Sequence, residues 1–161
     1  MSARVSIISS ERSIWMNSLA GRPPIVFWPL RSMHVDATFG TPMELIANIA
    51  SIGTGAPDRD RELPKPDWFD LARFPQAVFE AHGFTAEGAG AWLATGTLTI
   101  RDHAVPVALP FTLTIGGDGA TMDGKVELDR TSFGIGQGDW AKSDIVGKAV
   151  TVIVHIVAKR G

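Results

Sequence analysis

Apolar and polar residues alternate with a period of two through most of this chain. Met43, Leu45, Ala47 and Ile49 fall on one face of a strand, with Glu44 and Asn48 on the other. Ala77, Phe79 and Ala81 alternate with Gln76, Glu80 and His82, and Gly96, Leu98 and Ile100 alternate with Thr97, Thr99 and Arg101. Val105, Val107, Leu109, Phe111, Leu113 and Ile115 make one long apolar face, opposed by Pro106, Pro110, Thr112 and Thr114. Val126 and Leu128 oppose Lys125, Glu127 and Asp129. The stretch from Lys148 to Lys159 is apolar on both faces apart from Thr151 and His155. Turn residues fall between these runs at Glu87–Gly90, Arg101–His103 and Gly116–Gly119, where hairpins need them. Pro106 and Pro110 each remove a ladder donor, so an edge or a bulge is expected beside them.

Successive hairpins with one apolar face require a second sheet or closure on themselves. The pattern predicts one all-β, antiparallel domain over residues 1–161, and periodicity alone fits a filled β-sandwich core better than a barrel of about eight strands. Small inward residues at Gly96, Ala47, Ala77 and Ala81 favour an interior with room for one ligand.

One segment breaks the rhythm. Ile52 to Pro75 is far longer than the usual strand connection of about 2–5 residues, and it carries Trp68, Phe69 and Phe74, which a disordered loop avoids. It reads as a short helical lid over residues 57–73. Asp58 is expected to cap a helix through Arg59 to Leu63, with a second turn starting at Pro66. Trp68 and Phe69 then plug the lid into the barrel.

Composition narrows the function classes. The 161 residues are 45% hydrophobic and 20% charged, as in ordinary globular domains, and a chain of this length buries roughly 68–70% of its unfolded surface. The formal charge is −2 and the basic residues are scattered, so neither nucleic acid nor an anionic membrane surface is an expected partner. Without cysteine there is no thiol nucleophile, thiolate metal site or disulfide. No apolar run reaches the roughly 18 residues of a membrane span, and no signal peptide is evident at Met1 to Ile8.

Catalytic signatures are missing as well. His34, His82, His103 and His155 lie far apart and are expected to be solvated or locally bonded rather than metal ligands. Gly134-Ile-Gly136-Gln-Gly138 lacks the spacing and the βαβ setting of a dinucleotide fingerprint. No nucleophile elbow, phosphate loop or zinc-protease motif is present. No catalytic residue, metal site or resident cofactor is expected.

Three blocks carry a resemblance. Thr54-Gly-x-x-x-Arg59-Asp60-x-x-Leu63 leads to Trp68-Phe69-Asp70 and Phe74-Pro75-x-Ala77-x-Phe79. Gly96-Thr-Leu-Thr-Ile100 is followed by Pro106-Val107-x-Leu109. Asp129-Arg130-Thr-Ser-Phe133-Gly134 and Val146-Gly147 precede the final strand. In this order and spacing, over Ile49 to Ala158, they resemble the YceI-like family. Leu109-Pro-Phe-Thr-Leu113 and Gly136-Gln-Gly138-Asp-Trp140 are similar to its branch associated with cytochrome b-type membrane proteins. The N-terminal part departs from the family pattern: Val5 to Ile8 matches the opening strand poorly, and Arg22-Pro-Pro24 and Trp28-Pro29 interrupt what should be the second and third strands.

The resemblance implies a lipocalin-like barrel that binds a long amphiphile, typically a polyisoprenoid such as ubiquinone, in the periplasm. On that reading Phe27, Leu45, Ile49, Phe79, Leu98, Phe111, Leu128 and Phe133 form the tunnel wall, each with ordinary core packing as its alternative. Trp68 and Phe69 close the tunnel. Arg59 either reaches a polar head group or, with Asp60, fastens the lid. The expected function is non-enzymatic binding, transport or sequestration of a hydrophobic small molecule. One alternative is an interaction module with a filled barrel that serves a membrane cytochrome. Another is an enzyme acting on a hydrophobic substrate through a polar residue such as His103 or Arg59. The doubly apolar final strand, with Ile153 and Val157 opposite Val152 and Val154, points to a homodimer or docking surface.

Overall fold

The computed structural model describes residues 4–7, 32–38, 43–53, 56–117, 119–142 and 146–159. Among the described residues eight strands form one antiparallel sheet: β1 (Arg4–Ile7), β2 (Ser32–Thr38), β3 (Met43–Gly53), β4 (Gln76–Gly88), β5 (Ala91–Ile100), β6 (His103–Gly116), β7 (Gly119–Asp129) and β8 (Ala149–Lys159). From β2 to β8 each strand pairs with the next in sequence, and β1 returns to pair with β8. Cα atoms of β1 and β2, at opposite ends of the sheet order, come within 8 Å of each other. Arg22-Pro-Pro24 and Trp28-Pro29, expected to interrupt the second and third strands, lie outside the described residues.

Alternation sorts side chains as its period requires. Met43, Leu45 and Ile49 on β3, Ala77, Phe79 and Ala81 on β4, and Leu109 and Phe111 on β6 are buried, while Glu80, Pro106 and Pro110 face outward. Leu113 still packs against the buried cluster, but at the end of the same face Ile115 is 76% exposed. The hairpins take backbone that most residues avoid, with positive φ at Gly88, Ala89 and Gly90, at Arg101 and at Gly117.

Gly96 is small for a different reason from the one its pattern suggested. The β4 register shifts between Ala81 and Gly83, and the bulged backbone presses on β5. A Cβ at position 96 would collide with the Glu80 carbonyl oxygen. The space above Gly96 is thus filled by backbone and adds no room inside.

The prolines of β6 mark the end of a ladder. β6 pairs with the whole of β5, from His103 opposite Ile100 to Thr112 opposite Ala91, and through both prolines. With β7 it pairs only from Phe111 opposite Gly124 to Gly116 opposite Gly119. An intact β5 ladder puts the missing donors of Pro106 and Pro110 on the side facing β7, where pairing stops.

Buried side chains gather in two clusters. One, at the hairpin end, contains Met43, Phe79, Ala81, Ala94, Phe111, Met122 and Ile156. The other joins the lid to the wall through Ile49, Leu63, Trp68, Phe69, Ala77, Phe133 and Ile135.

Candidate functional site: a lidded apolar cavity

The lid opens with one helical turn, α1 (Pro57–Asp60), and continues in turns to Arg73. Pro57 opens the turn, where its missing N–H costs nothing. Asp58 does not cap it. The N-cap position is Ala56, with no side-chain hydrogen bond, and Asp58 pairs with Arg61 in solvent instead. The chain then folds back on itself: the Phe69 amide donates to the Leu63 carbonyl at 3.1 Å and the Asp70 amide to that of Lys65 at 3.0 Å. This reversal, with Asp70 at φ 49°, turns Leu63, Trp68 and Phe69 together into the barrel mouth.

The loop from Arg130 to Lys148 clasps the lid. Amides of Gly136 and Gln137 both donate to the Asp67 carbonyl, at 2.7 and 2.8 Å. Arg101, in the β5–β6 hairpin, donates through Nη1 to the carbonyls of Trp68 at 3.1 Å and Gly134 at 2.5 Å. The Trp68 and Trp140 rings pack with centroids 5.6 Å apart.

Arg130 holds that loop in shape. It is 4% exposed, and its guanidinium donates to five backbone carbonyls. Nε reaches Gly147 at 2.8 Å, Nη1 reaches Ile135 at 2.6 Å and Gly136 at 3.0 Å, and Nη2 reaches Trp140 at 3.0 Å and Val146 at 2.9 Å. Gly136 is required here, since a Cβ would strike the guanidinium. Burial lowers the pKa of Arg130, and Asp129 opposes that shift. Asp129 itself accepts from the Thr131 hydroxyl and amide, which hold its carboxyl below the ordinary aspartate range. It thereby caps the 3₁₀ turn Arg130–Phe133.

Between lid and hairpin end lies a cavity of about 220 Å³. Of the residues expected to form a tunnel, Leu45, Ile49, Phe79, Leu98, Leu128 and Phe133 line it from the wall and Trp68 and Phe69 from the lid. Two others do not. Phe111 is buried in the hairpin-end cluster, edge-on to Phe84 with centroids 6.4 Å apart, and is screened from the cavity. Arg59 is half-buried within the lid and is not part of the lining. Phe27 lies outside the described residues.

Sequence reasoning missed several lining residues. Ile52 lies at the end of β3 beside the lid, Leu63 belongs to the lid, Ile135 comes from the clasping loop, and Val107, Val126, Val152 and Val154 are inward positions of β6, β7 and β8. The valines sit on apolar faces already recognisable by alternation; Ile135 has no such signal. Among the described residues Arg130 is the one charged side chain on the lining. His103 and His155 pair with Asp102 and Asp123 at 2.8 and 2.5 Å. Among the described residues no group of three His, Cys, Asp or Glu could hold a metal ion.

Solved structures share this architecture. BcnA of Burkholderia cenocepacia superposes with a TM-score of 0.78 at 25% identity, covering 98% of this chain and 96% of that one. A polyisoprenoid-binding domain from Saccharophagus degradans, implicated in plant cell wall breakdown, superposes with a TM-score of 0.69. At 9% identity, over 99% of this chain and 94% of that one, it shares the fold alone. Among curated relatives, a UPF0312 protein of Yersinia pestis (strain Pestoides F) is 32% identical over 72 residues, 45% of this chain. That match spans only 37% of the relative's length. Residues 30–158 match the model of the YceI-like domain, and the chain belongs to that family.

Proposed function

We propose that this protein binds and carries a long, uncharged amphiphile, an isoprenoid quinone or a similar polyisoprenoid, without chemical conversion. The observation that carries this reading is the cavity itself, capped by Trp68, Phe69 and Leu63 and walled by aliphatic and aromatic side chains. Burying an apolar chain is worth about 25 cal/mol per Å², so each ~55 Å² removed from water tightens binding about tenfold. The likeness to a domain that binds polyisoprenoids supports the same ligand class.

The lining favours a neutral ligand. Arg130 directs its donors to the carbonyls of its own loop, which leaves them committed rather than turned to a diphosphate or carboxylate. An anion inside would meet apolar carbon and bear a desolvation cost of several kcal/mol. We further propose that the carrier is periplasmic, since a lipid there needs a water-soluble carrier between membranes.

The test is direct. Purified protein is extracted with organic solvent, the extract is examined by mass spectrometry, and the stripped protein is titrated with a long-chain ubiquinone. Co-extracted isoprenoid and saturable quenching of the lid tryptophan, Trp68, are expected. An extract free of lipid together with non-saturable quenching would overturn the carrier reading and favour a filled module that binds protein partners.

A further inference from the structure

The barrel wall is split on one side. Beyond the last β6–β7 pair at Phe111 and Gly124, the two strands no longer pair with each other, β6 running back to His103 against β5 and β7 on to Asp129 against β8. The gap between them is a cleft of about 230 Å³, bounded by Val105–Ala108, Val126–Asp129 and the 3₁₀ residues Ser132 and Phe133. Val107, Val126, Leu128 and Phe133 line both this cleft and the cavity, so the cleft and the interior share a wall one side chain thick. Its outer rim is polar, with Glu127, Asp129 and Ser132 exposed.

We infer that this split between β6 and β7 is a lateral portal. A single-chain amphiphile enters through it and rests with its polar end at the rim and its tail inside. The inference rests on the carrier reading and goes beyond it by naming the route and the seat of the head group.

Three observations converge. First, the gap is maintained by sequence: Pro106 and Pro110 have no donors to offer β7, so the strands cannot zip shut without replacing them. Second, the alternative mouth is fastened. Two amides on the Asp67 carbonyl, the Arg101 bridge and the Trp68–Trp140 contact hold the lid to the clasping loop, and opening it would break all of them together. Third, the cavity is smaller than the roughly 300–1,000 Å³ of pockets that enclose a drug-sized ligand. A long amphiphile therefore needs an exit for the part that does not fit, and the cleft supplies one with apolar inner walls and polar lips.

The absence of native cysteine makes a clean test available. Continuing the β6–β7 register across the gap sets Ala108 opposite Glu127, both exposed. An Ala108→Cys, Glu127→Cys variant is bridged after folding with a short bifunctional methanethiosulfonate and reopened with dithiothreitol. A second variant, Asp67→Cys with Gln137→Cys, bridges lid to loop in the same way. Dissociation of a fluorescent long-chain polyprenol is followed by stopped flow for each variant, bridged and reduced. Bridging the portal should slow exchange at least tenfold, reversibly, while bridging the lid leaves the rate unchanged.

If the lid bridge slows exchange and the portal bridge does not, the portal is disproved and the carrier reading stands. If polyprenol and quinone fail to bind the unbridged, native-sequence protein at all, the carrier reading fails and the portal falls with it.

Discussion

Arg130 keeps a full charge at 4% exposure, with backbone oxygen as its partner at all five donors. Such a group is stable only while the array is complete, because each orphaned carbonyl or uncompensated charge in that setting costs a few kcal/mol. Lysine has three donors on a single nitrogen and cannot reach carbonyls spread from Ile135 to Gly147. Arg130→Lys should therefore lower stability by about 3 kcal/mol, read as a reduced urea midpoint, and should loosen the lid, read as increased quenching of Trp68 by acrylamide. An unchanged midpoint would show that the loop holds its shape without the guanidinium. The sequence places Arg130 in a family block but leaves its role hidden, since its partners are main-chain atoms that no side-chain pattern encodes. Phe111 shows the opposite limit. Alternation correctly put it inside, but period two cannot say at which height along the barrel a residue stops facing a cavity and starts filling a plug.

At the scale of elements, strands were the most legible because period two and turn chemistry reinforce each other. The Arg101–His103 and Glu87–Gly90 hairpins lie where their residues required. The lid was legible as an insertion with buried aromatics and not in its fastening: Asp58 was expected to cap α1, while the clasp is made by Asp67, Arg101 and the loop after β7. β6 lies between these cases. Its prolines announced an edge or a bulge, and the structure resolves the choice, an edge that faces β7 while the β5 ladder stays whole. Replacing both with threonine, which suits an outward strand position, returns two donors to that edge. Pro106→Thr with Pro110→Thr should extend the β6–β7 ladder past Phe111. It should add roughly 1 kcal/mol of stability and protect the two new amides from hydrogen exchange by tenfold or more. Amides that exchange at unprotected rates would mean that something other than the prolines keeps the strands apart.

Over the whole molecule, the curled sheet encloses two different interiors. The hairpin end is packed solid around Ala94, Met122 and Ile156, and the lid end holds the cavity, with Ala47 at the junction in contact with both clusters. Alternation could not distinguish an open barrel from a filled one, because the same inward residues serve both. The division predicts opposite outcomes for two enlargements. Ala47→Phe adds a ring to empty space, so stability should hold or rise while affinity for a long-chain quinone drops at least tenfold. Phe111→Trp adds volume where there is none and should cost about 1–3 kcal/mol. Affinity per folded molecule should stay within twofold, because position 111 does not line the cavity. Urea denaturation and quinone titration of the two variants, side by side, measure both quantities. If Phe111→Trp weakens binding as much as Ala47→Phe at unchanged stability, the ligand reaches the hairpin end and the interior is one continuous tunnel.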